Sequence, residues 1–234
     1  MAENRNHLGQ VVGARVTNWR APDFPSHEVL AGTHCRIEPL DINRHASSLF
    51  ETTADDKPGK MWTYLPYGPF DNAIEYCELL KKLTAQSDQQ FYAVVDVETG
   101  RALGVAAYLR INPEAGSIEI GHLSYSPLLQ RSILATEAMY LMMKKIFEAG
   151  YRRYEWKCHS LNAASKSAAL RLGFQFEGIF RQSMVIDGRN RDTAWYSIID
   201  EEWPKLQTTF ETWLASSNFD SDGQQRRRLQ EFFK

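Results

Sequence analysis

The apolar positions along the 234-residue chain follow two spacings, and together these predict an α/β fold. Alternation of apolar and polar residues is typical of half-buried strands, whereas a repeat of about 3.6 residues is typical of amphipathic helices. Alternation predicts seven strands, Thr33–Leu40, Phe91–Asp96, Ala102–Ile111, Ser117–Tyr125, Tyr154–Cys158, Gln175–Ile186 and Arg191–Ile199. The helical repeat predicts five helices, Asn43–Thr53, Asp71–Ala85 with Asp71 as N-cap, Ile133–Ala149, a short helix between Asn162 and Gly173, and Glu201–Ser216.

The order of these elements predicts the topology of the sheet. A turn that contains Gly100 joins two strands of an antiparallel meander. The strand Ser117–Tyr125 is followed by a helix and then by the strand Tyr154–Cys158, and a helical crossover of this kind joins parallel strands. We therefore expect a mixed, mostly antiparallel sheet flanked by helices, with a central β-α-β unit.

Both ends of the chain lack the periodicity of the middle, which predicts a single domain over residues 32–217. Residues 1–31 contain prolines among polar residues, and we expect an extended arm that Trp19 anchors. Residues 218–234 comprise a polar linker and the stretch QQRRRLQEFFK, which predicts a short basic C-terminal helix. That helix is either a docking element for a partner or membrane, or a solvated or frayed chain end.

Composition narrows the class of protein. With 27 Lys and Arg against 29 Asp and Glu, the net charge is −2, so the chain lacks the excess of positive charge by which nucleic-acid and anionic-membrane binders attract phosphates. Three widely spaced cysteines without a C-x-x-C pair argue against a zinc site or a redox dithiol. No leader pattern and no apolar run of roughly 18 residues is found. We expect a cytoplasmic protein that binds neither nucleic acid nor membrane.

The segment most informative about function is 119–138, EIGHLSYSPLLQRSILATEA, in which a strand runs through a loop into a long helix. The first N–H groups of a helix have no intrahelical partner, and with the positive end of the helix dipole they bind phosphate oxygens. The segment therefore suits a diphosphate. Every strand-loop-helix has such an end, so an ordinary connection is the alternative, and the motifs have to decide between the two.

Three separated motifs resemble those of one enzyme family. They are EIGHLSYSP at 119–127, QRSILATEA at 130–138 and LNAASKSAALRLGFQFEG at 161–178. With these motifs the chain resembles the GNAT superfamily of acetyl-CoA-dependent N-acetyltransferases, specifically its RimJ/RimL-like branch. The resemblance implies the GNAT fold, in which the β-α-β unit binds the cosubstrate acetyl-CoA, and direct acetyl transfer to a primary amine without a metal. The implied acceptor is a small amine, amino acid or antibiotic, or alternatively a protein N-terminus.

The resemblance assigns the residues that bind acetyl-CoA. The family's diphosphate loop corresponds to 130–135 and continues into the helix, and the strand that pairs with the pantothenate arm ends at 123–125. Ile133 stands where the family usually has glycine. Because a β-branched residue avoids positive φ, either the loop is helical there or the diphosphate lies farther out. The assigned residues are Leu123, Ser124, Tyr125, Gln130, Arg131, Ser132, Ile133, Leu134, Ala135, Thr136, Asn162 and Ser165.

Two residues of the first motif are candidates for the base that deprotonates the amine. Glu119 lies eleven residues before Gln130, the separation at which the histone-acetylating branch has its catalytic glutamate. The alternative for Glu119 is a structural ion pair with Arg110 on a neighbouring strand. His122 is the second candidate base, or else a hydrogen-bonded core residue. Strand alternation puts Glu119 and His122 on opposite faces unless a bulge intervenes.

The third motif supplies the candidate for the group that stabilises the leaving thiolate. Many relatives have a tyrosine at the position of Ala169, so that acid is missing here, and Ser165 is the best remaining donor. Alternatively, Asn162 and Ser165 form only an ordinary helix start. A Cys158-His159 nucleophile is disfavoured, because neighbours along a strand point to opposite faces.

An aromatic loop is the candidate wall of the acceptor cleft, as it is in the family. Aromatic rings offer an amine apolar contact and cation-π attraction, although they could equally cap the core beneath a long loop. The residues assigned to acceptor binding are Trp62, Tyr64, Tyr67 and Phe70.

Other classes of function stay open on the sequence alone. Ile133 and Ala169 fit a non-catalytic CoA-binding or regulatory module, and a third reading is a protein-interaction domain without a cosubstrate. A homodimer through the final strands is common in such proteins and is one possible assembly of this chain.

Overall fold

A computed structural model describes residues 4–56 and 58–233, and in them eight strands form one sheet with five helices around it. The strands are β1 (Leu30–Ala31), β2 (Cys35–Pro39), β3 (Gln90–Asp96), β4 (Ala102–Asn112), β5 (Ser117–Tyr125), β6 (Arg153–His159), β7 (Gln175–Ile186) and β8 (Arg189–Ile199). The helices are α1 (Ile42–Thr53), α2 (Ala73–Thr84), α3 (Ile133–Glu148), α4 (Ala163–Arg171) and α5 (Trp203–Leu214). The predicted α/β class is confirmed, and β1 is the one strand that the pattern did not predict.

The strands lie in the order β1-β2-β3-β4-β5-β6-β8-β7, and each neighbouring pair in the described sheet is antiparallel except β5 with β6. These two are parallel because α3 crosses over between them. Their pairing ends at Ile120 and Trp156. In the described structure β5 continues to Tyr125 and β6 to His159, but these last residues of the two strands do not pair with each other. The two central strands therefore part at their C-terminal ends.

The two faces of the sheet are covered differently. On one face α3, α4 and α5 bury the larger hydrophobic cluster, which includes Ile118, Tyr154 and Phe210. On the other face α1 and α2 pack with Trp62 on β3 and β4. Beyond β4 this second face carries side chains that we call the polar floor: Glu119 on β5, Lys157 and His159 on β6, and Thr193 and Trp195 on β8.

Local chemistry sets the helix ends. The prediction that Asp71 caps α2 is wrong, because the Asn72 side chain accepts the hydrogen bond from the Glu75 N–H at 3.0 Å. Both residue types cap well, so the sequence could not separate two adjacent positions. Gly150 and Gly173 follow α3 and α4 with φ of 91° and 92°, the left-handed conformation that stops a helix, as predicted.

A buried carboxylate on α3 ties this helix to the edge of the sheet. Glu137 accepts hydrogen bonds from the backbone N–H groups of Thr33, His34 and Cys35 at 2.7–2.8 Å. Gly32 permits the approach, since a Cβ there would lie 2.6 Å from the carboxylate. The partners are more than a hundred residues apart, so no local pattern predicts the contact.

The terminal segments pack on the domain. The Trp19 ring lies against Gly116 and 5.3 Å from the Arg152 guanidinium carbon, which fits its expected role as the anchor of the arm. At the other end the structure has a 3-10 turn, Leu229–Phe232, in place of the predicted basic helix, and Leu229 is only 1% exposed. Residues 1–3 and Lys234, which belong to these two predicted segments, lie outside the described residues.

Candidate active site

The gap between the parted ends of β5 and β6 is the centre of the candidate site. A β-bulge in β5, where the register with β4 shifts between residues 105 and 107, interrupts the alternation of side chains along this strand. His122 lies in the bulge with a φ of 49°, a left-handed conformation that few residues other than glycine adopt. Its ring is 5.0 Å from Phe91, on the face that also carries Glu119. The bulge thus brings both candidate bases to one face, which simple alternation does not.

The loop between β5 and α3 ends in free backbone donors. Ser132 is the N-cap of α3, because its hydroxyl accepts from the Ala135 N–H at 3.1 Å and donates to the Leu129 carbonyl at 2.6 Å. The N–H groups of Ile133 and Leu134 have no partner among the described residues. They lie at the positive end of a 16-residue helix, which is the arrangement that binds phosphate oxygens.

Ile133 fits the loop without backbone strain. The positive φ of this loop belongs to Arg131, at 60°, whereas Ile133 is the first residue of α3 and its side chain packs on the core. Of the two alternatives for this position, the helical one is therefore observed. Gln130 closes the turn by donating from Nε2 to the Tyr125 carbonyl at 2.8 Å. In the next turn, Ala135 and Thr136 are buried in the helix.

Two hydroxyl groups at the end of β5 have no protein partner. The Tyr125 hydroxyl and Ser126 Oγ are shielded from solvent, and neither forms a hydrogen bond within the described chain. Unpaired buried polar groups are costly, so these atoms mark a place where a ligand or a water molecule belongs. The preceding residues Leu123 and Ser124 are half-buried and buried, respectively, on the strand that borders the gap.

A cation that the sequence analysis missed lies beside α3. Arg171, at the end of α4, donates from Nη2 to Thr136 Oγ1 at 3.1 Å. It has no acidic partner in the described part of the chain, and burial lowers its pKa. A half-buried guanidinium without a counter-ion suits an anionic ligand. Its neighbour Thr136 is 35 residues away, so spacing could not have found it.

The start of α4 places a hydroxyl beside β6. The Asn162 side chain accepts from the Ser165 N–H at 3.0 Å, so Asn162 does cap the helix. The Ser165 hydroxyl accepts a hydrogen bond from Trp156 Nε1 at 2.9 Å. Since the indole N–H only donates, the hydroxyl hydrogen of Ser165 is left to be donated elsewhere. Burial raises the pKa of the nearby Cys158 thiol, which the Ser165 hydroxyl partly opposes.

Glu119 is 4% exposed and uses one oxygen for two ion pairs. Its Oε2 lies 2.6 Å from Arg110 Nη1 and 2.8 Å from Lys157 Nζ. Its Oε1 has no hydrogen-bond partner among the residues described and faces Gly121, which has no side chain to block it. The pairing with Arg110 that was the structural alternative is therefore present, and one oxygen is still open. Lys157 was missed because its approach depends on the strand register.

His122 is held by the aromatic loop. The Tyr67 hydroxyl lies 2.8 Å from His122 Nδ1, and the two rings are stacked at an interplanar angle of 3°. Burial, with a smaller contribution from the Arg110 charge, lowers the pKa of His122 to about 4. The imidazole is therefore neutral at pH 7, and the same burial makes it a weaker base than an exposed histidine.

Of the four predicted residues in the aromatic loop, two pack on the core and two lie at the gap. Trp62 and Phe70 pack against each other and against Tyr76, so these two rings do cap the core. Tyr67 contacts His122 on β5, whereas Tyr64 donates from its hydroxyl to the Leu161 carbonyl at 3.2 Å, just after β6. The loop therefore spans the gap and touches the chain on both sides of it.

The family follows from comparison with known proteins. A family model described as an acetyltransferase (GNAT) domain matches residues 35–175, which is more than half of the chain. The chain belongs to the GNAT acetyltransferase family. A GCN5-related N-acetyltransferase from Brucella melitensis is 44% identical, with a TM-score of 0.90 over 93% of this chain and 99% of that one. A probable GNAT acetyltransferase from Chromobacterium violaceum is 42% identical, with a TM-score of 0.77 over 83% and 98%.

More distant GNAT structures share the fold alone. The ribosomal L7/L12 α-N-protein acetyltransferase RimL is 20% identical to this GNAT chain, with a TM-score of 0.63 over 74% of this chain and 94% of that one. At that identity the likeness does not place the chain in the RimJ/RimL-like branch. No curated protein matches the sequence.

The described residues of this GNAT domain show two further absences. They contain no group of three or more His, Cys, Asp or Glu side chains arranged to hold a metal ion. None of their helices is both long enough and apolar enough to cross a membrane.

Proposed function

We propose that this GNAT acetyltransferase moves the acetyl group of acetyl-CoA directly to a primary amine within a ternary complex. One observation carries the proposal: β5 and β6 part after Ile120, and the chain that continues from β5 leads into the free N–H groups that begin α3 at Ile133. The helix N-terminus packs on one face of the sheet, while Glu119 and His122 lie on the other. A thioester and an amine can therefore approach the same gap from opposite faces.

The residues around the gap fit acetyl-CoA. When bound, acetyl-CoA supplies an acyl group activated as a thioester. The free N–H groups of α3 would bind the diphosphate together with Arg171, which has no acidic partner in the described chain. The end of β5 that no longer pairs with β6 would hydrogen-bond the pantothenate arm as an added strand does. The orphaned hydroxyls of Tyr125 and Ser126 are also available to it. The residues proposed to hold it are Leu123, Ser124, Tyr125, Gln130, Arg131, Ser132, Ile133, Leu134, Ala135, Thr136, Asn162, Ser165 and Arg171.

Proton transfer is assigned to side chains that the structure holds in place. The neutral amine attacks the thioester carbonyl carbon, the carbon–sulfur bond breaks, and the nitrogen loses a proton to the free Oε1 of Glu119, directly or through a water. Neutral His122 is the second candidate for that proton. The Ser165 hydroxyl, fixed by Trp156, would donate to the leaving thiolate, and N–H groups near Leu123 would stabilise the oxyanion.

The proposed acceptor is a small amine, amino acid or antibiotic. Tyr64 and Tyr67 lie above the gap and offer an aromatic wall to the ammonium form before its deprotonation. The alternative acceptor is a protein N-terminus, as named for RimL.

Isotope transfer tests the proposal. Label from acetyl-CoA should appear in at least one member of an amine panel, and Glu119→Gln should slow that reaction by about 100-fold or more, since general-base catalysis contributes that much. Glu155→Gln is the matched control, because Glu155 pairs with the same Lys157 but is on β6. If Glu119→Gln and His122→Ala both kept the full rate, neither residue could be the general base.

Two rival functions give different results in the same assays. A non-catalytic CoA-binding module would bind CoA in calorimetry but would acetylate none of the amines. A protein-interaction domain without a cosubstrate would show no thermal shift in millimolar acetyl-CoA. We expect both a thermal shift and turnover.

We also propose that the chain forms a homodimer through its final strands. β7 is an edge strand of the described sheet, and Phe176, Ile179, Phe180 and Val185 on it are about half exposed or more. Edge strands with exposed apolar side chains favour pairing with a second chain. Sedimentation velocity should give twice the 26.9 kDa chain mass, and the mass of one chain would contradict the dimer.

A further inference from the structure

Three side chains on β8 carry buried polar atoms without a partner. Arg191 Nε, Thr193 Oγ1 and Trp195 Nε1 are all shielded from solvent, and none of them has a hydrogen bond within the described residues. They are spaced two residues apart on one strand, so they face the same side of the sheet. That side is the polar floor, because Thr193 is in register with His159 and Trp195 with Lys157.

The chemistry of these three atoms defines which hydrogen-bond partner they lack. An indole N–H and a guanidinium N–H can only donate a hydrogen bond, and a threonine hydroxyl can donate one as well. Thr193 is 5% exposed, so bulk water does not satisfy it. Unpaired buried polar groups are rare in folded proteins and call for a ligand or a bound water. A matching ligand brings oxygen atoms with free lone pairs.

The row starts beside the proposed base. Lys157 Nζ is 2.8 Å from Glu119 Oε2 and 3.7 Å from the centre of the Trp195 ring, so one ammonium group separates that ring from the carboxylate. Thr193 lies next to His159, whose ring is 5.2 Å from Tyr64 in the aromatic loop. The donors therefore extend from Glu119 along the floor towards the loop that spans the gap.

The spacing of the three donors on β8 matches the spacing of carbonyl groups in a peptide. Side chains two residues apart on a strand repeat every 6.4–6.8 Å or so, and the carbonyl groups on one side of an extended peptide repeat at the same distance. Arg191 Nε has no partner in the described chain, and a carboxylate would suit this guanidinium group. A plain alkylamine or polyamine has no oxygen to offer to any of the three.

We propose that Trp195, Thr193 and Arg191 recognise carbonyl or carboxylate oxygens of the acceptor, which makes the acceptor an α-amino acid or the N-terminal residue of a peptide. The inference rests on the proposed acetyltransferase function and deepens it by naming the class of amine. Because the donors are shielded, the acceptor has to displace the side chains that lie over them.

A matched amine panel tests the class. Alanine, the tripeptide Ala-Ala-Ala, isopropylamine and spermidine would be compared by kcat/KM with labelled acetyl-CoA. Alanine and the tripeptide present the same amine with oxygens, and isopropylamine presents a similar amine without them. We expect at least a tenfold preference for alanine or the tripeptide over both oxygen-free amines. The better of these two shows whether the acceptor is a free amino acid or a peptide.

Two conservative variants test the row itself. Thr193→Val and Trp195→Phe each remove one donor and keep the shape, so each should lower kcat/KM for the preferred acceptor about threefold to tenfold, the range of one hydrogen bond. The fall in kcat/KM for isopropylamine should be smaller, so that the preference for the acceptor with oxygens decreases in each variant. The melting temperature of Thr193→Val should not fall, because no hydrogen bond of the free protein is lost.

Thr209→Val is the matched control. Thr209 is also a buried threonine, but its hydroxyl donates to the Lys205 carbonyl at 2.9 Å within α5, far from the floor. This variant should lose stability and keep the acceptor preference. It separates damage to the fold from loss of recognition.

The outcomes are distinct. If the unmodified protein used isopropylamine as well as the better of alanine and the tripeptide, the inference would be overturned and acetyl transfer left intact. An equal fall in kcat/KM for isopropylamine and for the preferred acceptor in Thr193→Val would have the same consequence. Binding of acetyl-CoA without turnover of any amine would overturn the proposed function and this inference together.

Discussion

His122 couples the candidate site to pH. It lies in a left-handed bulge, accepts or donates a hydrogen bond with Tyr67, and is buried enough that its pKa falls from 6.5 to about 4. Between these two values the unfolded chain binds a proton that the folded chain does not. The stability that neutral His122 contributes is therefore fully present above pH 6.5 and is lost as the pH falls towards 4.

The first prediction follows from that shift. At pH 5, His122 should cost the folded state up to about 2 kcal/mol relative to pH 7, as the linkage relation gives for these pKa values. His122→Asn removes the titration, and asparagine tolerates a positive φ. In urea unfolding at pH 7 and pH 5, the variant should lose less stability than the unmodified protein. Equal losses in both proteins would show that His122 is not held neutral.

The candidate residues that could be predicted share a short stretch of sequence with a motif. Glu119, His122 and Ser165 were found in this way, by their positions in motifs that resemble a known family. Lys157 and Trp195 were not, because their contacts with each other and with Glu119 depend on how β5, β6 and β8 are registered. Register is a property of the whole sheet, and it cannot be predicted from a single sequence by local patterns.

At the scale of elements, the start of α3 permits a test of the loop. The free N–H groups of residues 133 and 134 come from the backbone, so the isoleucine side chain is not needed for them. Ile133→Gly restores the family's usual residue but removes a side chain that packs on the core. We expect a fall in stability of about 1 kcal/mol or more, and a change of less than threefold in the Kd for CoA.

Thermal unfolding and calorimetry would measure both quantities for Ile133→Gly. A large gain in CoA affinity would mean that the isoleucine obstructs the diphosphate, which is contrary to the observed helical position. Gly150→Ala, at the other end of the same helix, is a control for loss of stability alone, since alanine is strained at a φ of 91°.

The contact between α3 and the sheet edge gives a third prediction. Glu137→Ala leaves three backbone N–H groups of residues 33–35 without their acceptor, and the one of Cys35 is buried, where an unpaired donor costs about 1–3 kcal/mol. The variant should be destabilised by about that amount or more in chemical unfolding, whereas Glu148→Ala at the exposed end of the helix should change little. Similar stabilities of the two variants would contradict the structural role of Glu137.

Most element ends were predictable because local signals mark them. The bounds of β5 and β7 agree with the alternation, and glycines stop α3 and α4 as expected. The exceptions have local causes too: Asn72 and Asp71 are equally good caps, and β1 is only two residues long. The C-terminal basic stretch forms a short turn because Leu229 is buried against the core, a contact that local spacing does not encode.

At the scale of the whole molecule, the fold explains why chemistry belongs at one point of the sheet. A single parallel pair in a sheet that is antiparallel elsewhere in its described part comes apart after Ile120 and Trp156. Helices α3 to α5 cover one face there, and the other face beyond β4 presents the polar floor. The gap is therefore reachable from two sides with different chemistry, as a two-substrate transfer requires.

A crystal structure of the protein with CoA tests this account most directly. We predict the pantothenate arm between β5 and β6, with a diphosphate oxygen within hydrogen-bond distance of the Ile133 or Leu134 N–H. The sulfur should lie near the Ser165 hydroxyl and face the side of the sheet that carries Glu119. CoA bound elsewhere, or a gap that stays closed at saturating CoA, would contradict the account.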